Sequence, residues 1–315
     1  MKKTLPITII IPLLNESDTI LETVSDIANQ TMEPSEVVVI DAGSNDGTID
    51  ILLNGWKKAN TNANLIVEIV DGSYPGASRN LGIKLSSHEW VVFLDASIRM
   101  ESDWLEKLWH CANKSDTKLI FGVCDFNSDS VIGKSVIAAT YGVGTSVSSI
   151  PGSIFSIESF KNVGWFRNDL LSAEDLEWRH RYKKHYPMED VCYSTTLHYY
   201  GPPENLMAIF KKWHGNARFL LRSKLPKKSY YLYMAIPFLF ILSAAYSTKV
   251  LIWLFILYLL LRGLIDPIRR SNNNMWWDGE NTALFMILPV VIVIDLAKFT
   301  GYIVEYSSKV IKYFK

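Results

Sequence analysis

Short apolar runs alternate with helix-spaced apolar positions through the first half of the chain. Ile7–Ile11, Val37–Ile40, Ile66–Val70, Val91–Leu94 and Leu119–Val123 are strand-like and rich in β-branched residues. Between them Ile20, Val24 and Ile27 fall at helical spacing, as do Leu105, Leu108 and Ala112. This alternation predicts an α/β fold, a mostly parallel sheet flanked by helices on both faces. The run Val37-Val38-Val39-Ile40 suits a strand covered on both sides and ends on Asp41. Gly43 and Gly47 then allow a tight reversal into a helix continued by Ile49, Leu52, Leu53 and Trp56, with Asp46 placed to cap it. Ligands bind outside the carboxyl ends of such strands, so Asp41 stands at a binding position. Residues 124–150, rich in Ser, Val and Gly, predict an edge strand and a mobile loop.

The pattern changes near Gly201-Pro202-Pro203. A helical stretch with Leu206, Ile209, Phe210 and Trp213 on one side carries Lys211, Lys212, Arg218, Arg222, Lys224, Lys227 and Lys228. Apolar segments follow at about 230–247, 249–265 and 283–305. A bilayer span takes ~20 apolar helical residues, so 230–265 reads as two short spans in a hairpin. The third segment holds Pro289, Asp295 and Lys298, and reads as a third span or a tilted interfacial helix. The predicted organisation is a catalytic domain over 1–225, including the basic juxtamembrane helix, and a membrane domain over 226–315. Trp276 and Trp277 read as interfacial anchors.

Charge sharpens this division. Up to position 200 the chain has 17 Lys+Arg against 26 Asp+Glu, and from 201 onward 15 against 6, so a formal net charge of zero conceals an acidic head and a basic, apolar tail. The basic cluster before the first apolar segment, with Arg262, Arg269 and Arg270 after the second, places the head on the cytoplasmic side. Three spans would put Lys309, Lys312 and Lys315 on the opposite side. Cys111, Cys124 and Cys192 have neither metal spacing nor an even number, which fits a reducing compartment. Met1-Lys2-Lys3-Thr4 runs directly into the first strand with no signal peptide. No nucleic-acid partner is expected.

Five motifs stand in order on this scaffold: Pro12-Leu13-Leu14-Asn15-Glu16, Asp41–Thr48, Gly76-Ala77-Ser78-Arg79-Asn80-Leu81-Gly82, Phe93-Leu94-Asp95-Ala96-Ser97, and Ala173-Glu174-Asp175-Leu176-Glu177-Trp178. Together they resemble the family 2 inverting glycosyltransferases of the type-A nucleotide-sugar fold, over roughly residues 5 to 225. Any one motif alone is weak; their order is specific. The resemblance implies that Pro12, Asn15, Glu16, Asp41, Gly76, Arg79, Asp95, Ala96 and Ser97 line a nucleotide-sugar pocket. Asp41 would read the base edge, although the second aspartate common in the family is Ala42 here. Arg79 would offer paired donors to ribose or diphosphate oxygens. The acceptor side would include Gly152, Trp165 of Val163-Gly164-Trp165-Phe166, Trp178 and Trp213.

The family's Asp-x-Asp metal motif begins at Asp95, but its second carboxylate is Ser97. A hydroxyl replaces a charge poorly for Mg²⁺ or Mn²⁺. Two alternatives follow. Asp95 and His198 together hold a divalent ion on the diphosphate, or Arg99 stabilises the leaving group without metal. The first is the reading taken. Asp175 is the expected catalytic base, taking the acceptor proton in a single displacement, with Glu174 orienting it or the acceptor. Bland alternatives accompany each residue: Ser172-Ala173-Glu174-Asp175 also fits a capping box, and the basic face over 211–228 fits anionic-lipid contact.

The implied function is transfer of a sugar from a nucleoside-diphosphate sugar to a lipid-linked, polyprenyl-type acceptor by a multi-pass membrane enzyme building a surface polysaccharide or glycan. A polyprenyl-phosphate sugar synthase is the nearest rival. Phe210-Lys211-Lys212-Trp213 only distantly echoes the Gln-x-x-Arg-Trp motif of processive synthases. Ala42 and Ser97 motivate a further rival, a catalytically silent scaffold.

Overall fold

The computed structural model describes residues 2–115, 117–188, 190–225, 228–277 and 281–313, without the side chains of 228, 229 and 309–313. Met1, Lys227 and Lys315, and the side chains of Lys228, Lys309 and Lys312, therefore lie outside the described residues. The chain forms two compact units, residues 1–125 with 146–200, and residues 126–145 with 201–315.

In chain order the elements are β1 (Lys3–Leu13), α1 (Ile20–Ala28), β2 (Met32–Asp41), α2 (Thr48–Lys58), β3 (Asn64–Ile69), α3 (Pro75–Leu85), β4 (Trp90–Phe93), β5 (Ile98–Met100), α4 (Trp104–Lys114), β6 (Leu119–Phe126), α5 (Val131–Thr140), β7 (Ser146–Ser156), α6 (Ile157–Val163), α7 (Glu174–His185) and β8 (Asp190–Tyr199). Helices α8 (Leu206–Arg222), α9 (Lys228–Tyr246), α10 (Thr248–Leu260), α11 (Asp266–Arg270) and α12 (Asn281–Tyr313) follow, and a π-helical turn over Leu261–Ile265 joins α10 to α11.

The first unit is built on one eight-stranded sheet ordered β3-β2-β1-β4-β7-β6-β8-β5. Pairs β1–β2, β1–β4 and β2–β3 are parallel; β4–β7, β6–β7 and β5–β8 are antiparallel. Alternate residues of a strand face opposite sides. Accordingly Ile9, Ile11, Val37 and Val39 join one buried cluster, and Ile10, Val38 and Ile40 join the other. The parallel strands are covered on both faces, as their unbroken apolar runs predict.

Residues 124–150 differ from expectation. They contain helix α5, and the strand that follows, β7, sits inside the sheet between β4 and β6. Its pattern was hard to read because buried inward positions are serines: Ser153 and Ser156 are fully buried, and Gly122 N–H donates to Ser153 Oγ at 3.1 Å. Gly152 adopts φ +83°, and a Cβ there would run into Leu197. The cysteines also depart from expectation, since Cys111 of α4 and Cys192 of β8 are joined as a disulfide, leaving buried Cys124 as the free thiol.

In the second unit α5, α8 and α12 share a core of Val136, Ala139, Ile209, Trp213, Ile287, Val291 and Ile294. Trp276 is buried in that core and is not an interfacial anchor. Arg222 and Arg218, expected on a lipid-facing surface, lie 3.0 and 3.8 Å from Glu305 of α12. Two helical stretches, Thr248–Arg270 and Asn281–Ser308, are long and apolar enough to cross a membrane by length and composition. The apolar helix Tyr230–Tyr246 is shorter. The charges interrupting these segments are paired: Arg262 Nε and Nη2 each donate to Asp295 at 2.8 Å, Tyr258 Oη donates to Asp295 at 3.0 Å, and Lys298 Nζ donates to Tyr233 Oη at 2.9 Å.

Candidate active site

Helix α3 organises the site from the centre of the first unit. Pro75 opens it, a favoured position because the first turn needs no N–H from it. Gly76 rests against the Arg167 carbonyl so closely that a Cβ would collide with it. One turn on, Arg79 is 5% exposed and points between two carboxylates. Its Nη1 donates to Glu174 Oε1 at 2.5 Å and its Nη2 to Asp95 Oδ1 at 3.3 Å. Phe93 and Phe166 stand over the guanidinium, each ring centroid 5.9 Å away. Neighbouring Asn80 donates from Nδ2 to Phe166 O at 2.8 Å and accepts from Phe166 N–H at 3.0 Å. It also donates to Asn168 Oδ1 at 2.7 Å, so α3 fixes the loop that leads to Glu174 and Asp175.

Those two acids open α7. Its N-cap, Ala173, has φ +68°, a left-handed conformation unusual for a residue with a Cβ, and its methyl side chain makes no capping hydrogen bond. Glu174 is buried and clamped by Arg79, whereas the half-buried Asp175 accepts from the Leu176 N–H at 2.7 Å. Burial raises the Glu174 carboxyl above its ordinary range, and the Arg79 charge opposes that rise. A helix N-terminus favours negative charge on both acids.

The end expected to hold the nucleotide is tied together by short hydrogen bonds. Asn15, at φ +55°, follows β1; its N–H donates to Ser44 Oγ at 2.8 Å, and its Oδ1 accepts from Asn45 N–H at 3.0 Å. Asp41 is buried and accepts from Ser44 Oγ (2.5 Å), Ser44 N (2.9 Å) and Gly43 N (3.2 Å). Its carboxylate thus braces the turn that follows β2. A Cβ at Gly43 would stand 2.8 Å from Asp71 Oδ1. Asp46 accepts from Thr48 and Ser17, which holds its carboxyl well below the usual range. The Glu16 carboxyl is raised by burial, opposed by the Thr19 hydroxyl and reinforced by Asp95. Pro12 pairs with Ile40 at the carboxyl end of β1, and the Ala96 carbonyl accepts from Thr23 Oγ1 at 2.6 Å.

Asp95 is 40% exposed in its side chain and Ser97 is half-buried in the turn after β4. His198 lies opposite Arg99 in the β5–β8 register, its Nε2 3.8 Å from Glu101. Among the described residues, no three His, Cys, Asp or Glu side chains gather to hold a metal ion. Arg99 donates to Glu22 at 2.8 Å and Asp26 at 2.7 Å, which ties β5 to α1. Of the expected acceptor-side residues, Trp165 is exposed, with Lys84 Nζ 5.7 Å from its ring. Trp178 is fully buried, donating from Nε1 to Gly164 O at 2.7 Å, and acts as core beneath the loop. Gly152 is buried in β7, and Trp213 is buried in the core of the second unit. The sequence reading passed over Asn80 and Phe166. Asn80 adjoins Arg79 in a quoted motif, and a polar residue on a helix otherwise packed against the sheet was its available signal.

Known proteins agree with this architecture. The family described as glycosyl transferase family 2 matches residues 8–137. A poly(ribitol-phosphate) beta-glucosyltransferase of Bacillus spizizenii is 33% identical over 118 residues, covering 37% of this chain and 18% of that protein. Glycosyltransferase AglE of Haloferax volcanii is 30% identical over 212 residues, covering 62% of this chain and 66% of that one. The chain thus spans about a fifth to two thirds of the length of these relatives. The mannosyltransferase PcManGT of Pyrobaculum calidifontis, solved with GDP-Man and Mn²⁺, shares the fold at a TM-score of 0.58 and 15% identity, over 92% of this chain and 86% of that one. The matched segment carries most of β1 through β6 and the Arg79–Asp95 pair, and residues 8–137 are thus a glycosyltransferase family 2 domain.

Proposed function

We propose that the chain is a membrane-anchored inverting glycosyltransferase that moves one sugar from a nucleoside-diphosphate sugar to a lipid-linked saccharide during assembly of a surface polysaccharide or glycan. One observation carries this reading: two adjacent acids at the start of α7 have different surroundings. Glu174 is buried against Arg79, while Asp175 is half-buried. In this reading the acceptor oxygen attacks the anomeric carbon as Asp175 takes its proton. The carbon–oxygen bond to the diphosphate breaks on the opposite face and the nucleoside diphosphate departs. Glu174 and Arg79 hold Asp175 and Asp95 in register across the reaction path.

Asp95 offers a half-open carboxylate where a divalent ion could share ligands with a diphosphate. Mg²⁺ is commonly bound by one or two carboxylates plus substrate phosphates, so the donor set fits despite Ser97. Such an ion, Mg²⁺ or Mn²⁺, would neutralise charge developing on the leaving group. Asn15, Glu16 and the Asp41 turn frame the nucleotide in this proposal. The lipid-linked acceptor is supported by the two long apolar helices, since a water-soluble acceptor calls for no anchor. Arginines flanking them favour the cytoplasmic side for the catalytic unit.

The test is calorimetry on the full chain in detergent with a panel of nucleoside-diphosphate sugars, with Mn²⁺ and then with EDTA. Binding of one donor, weakened by EDTA, is expected. Absence of binding by every donor would contradict the enzymatic reading and favour a silent scaffold.

A further inference from the structure

The antiparallel helices α9 and α10 leave a groove between them of about 540 Å³. That volume lies within the roughly 300–1,000 Å³ of ligand pockets. Its walls are apolar side chains, among them Leu232, Leu239, Leu254, Leu257 and Leu261, each at an exposed or half-buried position. Helix α10 has no buried residue among those described, so this face is not spent on the core of its own unit. Along the second wall the lining runs from Leu254 to Arg270. At 1.5 Å per residue that is about 24 Å, most of a hydrocarbon layer of ~30 Å.

The groove changes chemistry along its length. Beyond Leu261 its lining is Arg262, Ile265, Asp266, Arg269 and Arg270, four of the five charged. Asp266 accepts from all three arginines: from Arg262 Nη1 at 2.6 Å, Arg270 Nε at 2.9 Å and Arg269 Nη2 at 3.0 Å. Arg262 gives its other donors to Asp295, and Arg270 gives Nη1 to Thr140 O at 2.8 Å. Arg269 differs, being 75% exposed in its side chain. A guanidinium has five N–H donors and pairs readily with phosphate. Two carboxylates, Asp266 and Asp295, against three arginines leave one excess positive charge at this end.

A long apolar groove closed by an arginine rim matches one chemistry, an anionic head on an extended hydrocarbon chain. We propose that it holds the tail of a polyprenyl-type lipid phosphate, with the phosphate on Arg269. The inference rests on the lipid-linked acceptor proposed above and gives that acceptor a site on this chain. A second copy of the chain fits less well, because a two-fold pairing through this face would set arginine rim against arginine rim.

The experiment uses the full chain in phosphatidylcholine nanodiscs with a photoreactive polyprenyl phosphate, and locates labelled peptides by mass spectrometry. Labelling within 232–240 and 254–265 is expected, about tenfold above a polyprenyl alcohol probe, as loss of a charge-assisted hydrogen bond predicts. Arg269→Gln should reduce labelling to the alcohol level, and Leu257→Trp should block both probes. Equal labelling by the alcohol, equal labelling by a photoreactive phosphatidic acid, or protection through dimer formation would each overturn the proposal. Donor binding measured on the same samples separates the two readings. Labelling without donor binding defeats the enzyme reading alone, and donor binding without labelling defeats the groove alone.

Discussion

Arg79 Nη1 lies 2.5 Å from Glu174 Oε1, with both side chains more than nine-tenths buried. Breaking a buried ion pair leaves an uncompensated charge, typically worth about 3–5 kcal/mol, whereas replacing both partners by apolar groups can be neutral. Arg79→Met should therefore lower stability by roughly that amount. The double variant Arg79→Met/Glu174→Leu should recover most of the loss in a thermal double-mutant cycle. Additive losses would show that the pair is not coupled.

Glu16 makes a prediction with a definite sign. Burial, opposed by Thr19 and reinforced by Asp95, raises its folded carboxyl above the unfolded value of 4.5. The folded state then binds more protons than the unfolded one between those two values, and stability falls as pH rises through that window. Glu16→Gln keeps the Thr19 contact and should flatten the slope in melting curves taken from pH 4 upward. An identical slope would place the titration elsewhere.

Asn80 spans the gap between α3 and the loop before α7. Asn80→Ala strands the buried Phe166 N–H, a cost of about 1–3 kcal/mol. Its effect should fall on turnover more than on donor affinity, because the loop positions Asp175 and not the nucleotide end. Equal losses in both would indicate general loosening of the unit.

The Cys111–Cys192 bond is open to a thiol count. Denatured protein should take up one alkylating group before reduction and three after it. Native protein should react slowly, since burial, with Asp125 adding, pushes the Cys124 thiol up to about 12. Three reactive thiols without reductant would restore the reducing-compartment reading.

Much of the fold could be read from residue patterns because parallel strands such as Val37–Ile40 are unbroken apolar runs. The same logic failed at β7, whose buried Ser153 and Ser156 hydroxyls accept from the Gly122 and Glu158 N–H groups and leave no apolar alternation. Motif order picked out the elements of the candidate site, yet pattern alone could not say which way a side chain turns. Arg79 faces carboxylates, Asp41 braces its own turn, and Trp178 and Trp213 are packed as core. Pairing of distant residues was equally hidden: Arg99 with α1, Arg262 with Asp295, and two cysteines 81 residues apart.

The central claim is that Asp175 is the base and Glu174 its buried neighbour. The most direct measurement is the transfer rate and donor affinity of Asp175→Asn in the full chain, set beside wild type. The account predicts a loss of transfer of about 10²–10⁴-fold with the donor dissociation constant unchanged, as removal of a general base implies. Transfer at the wild-type rate would contradict it.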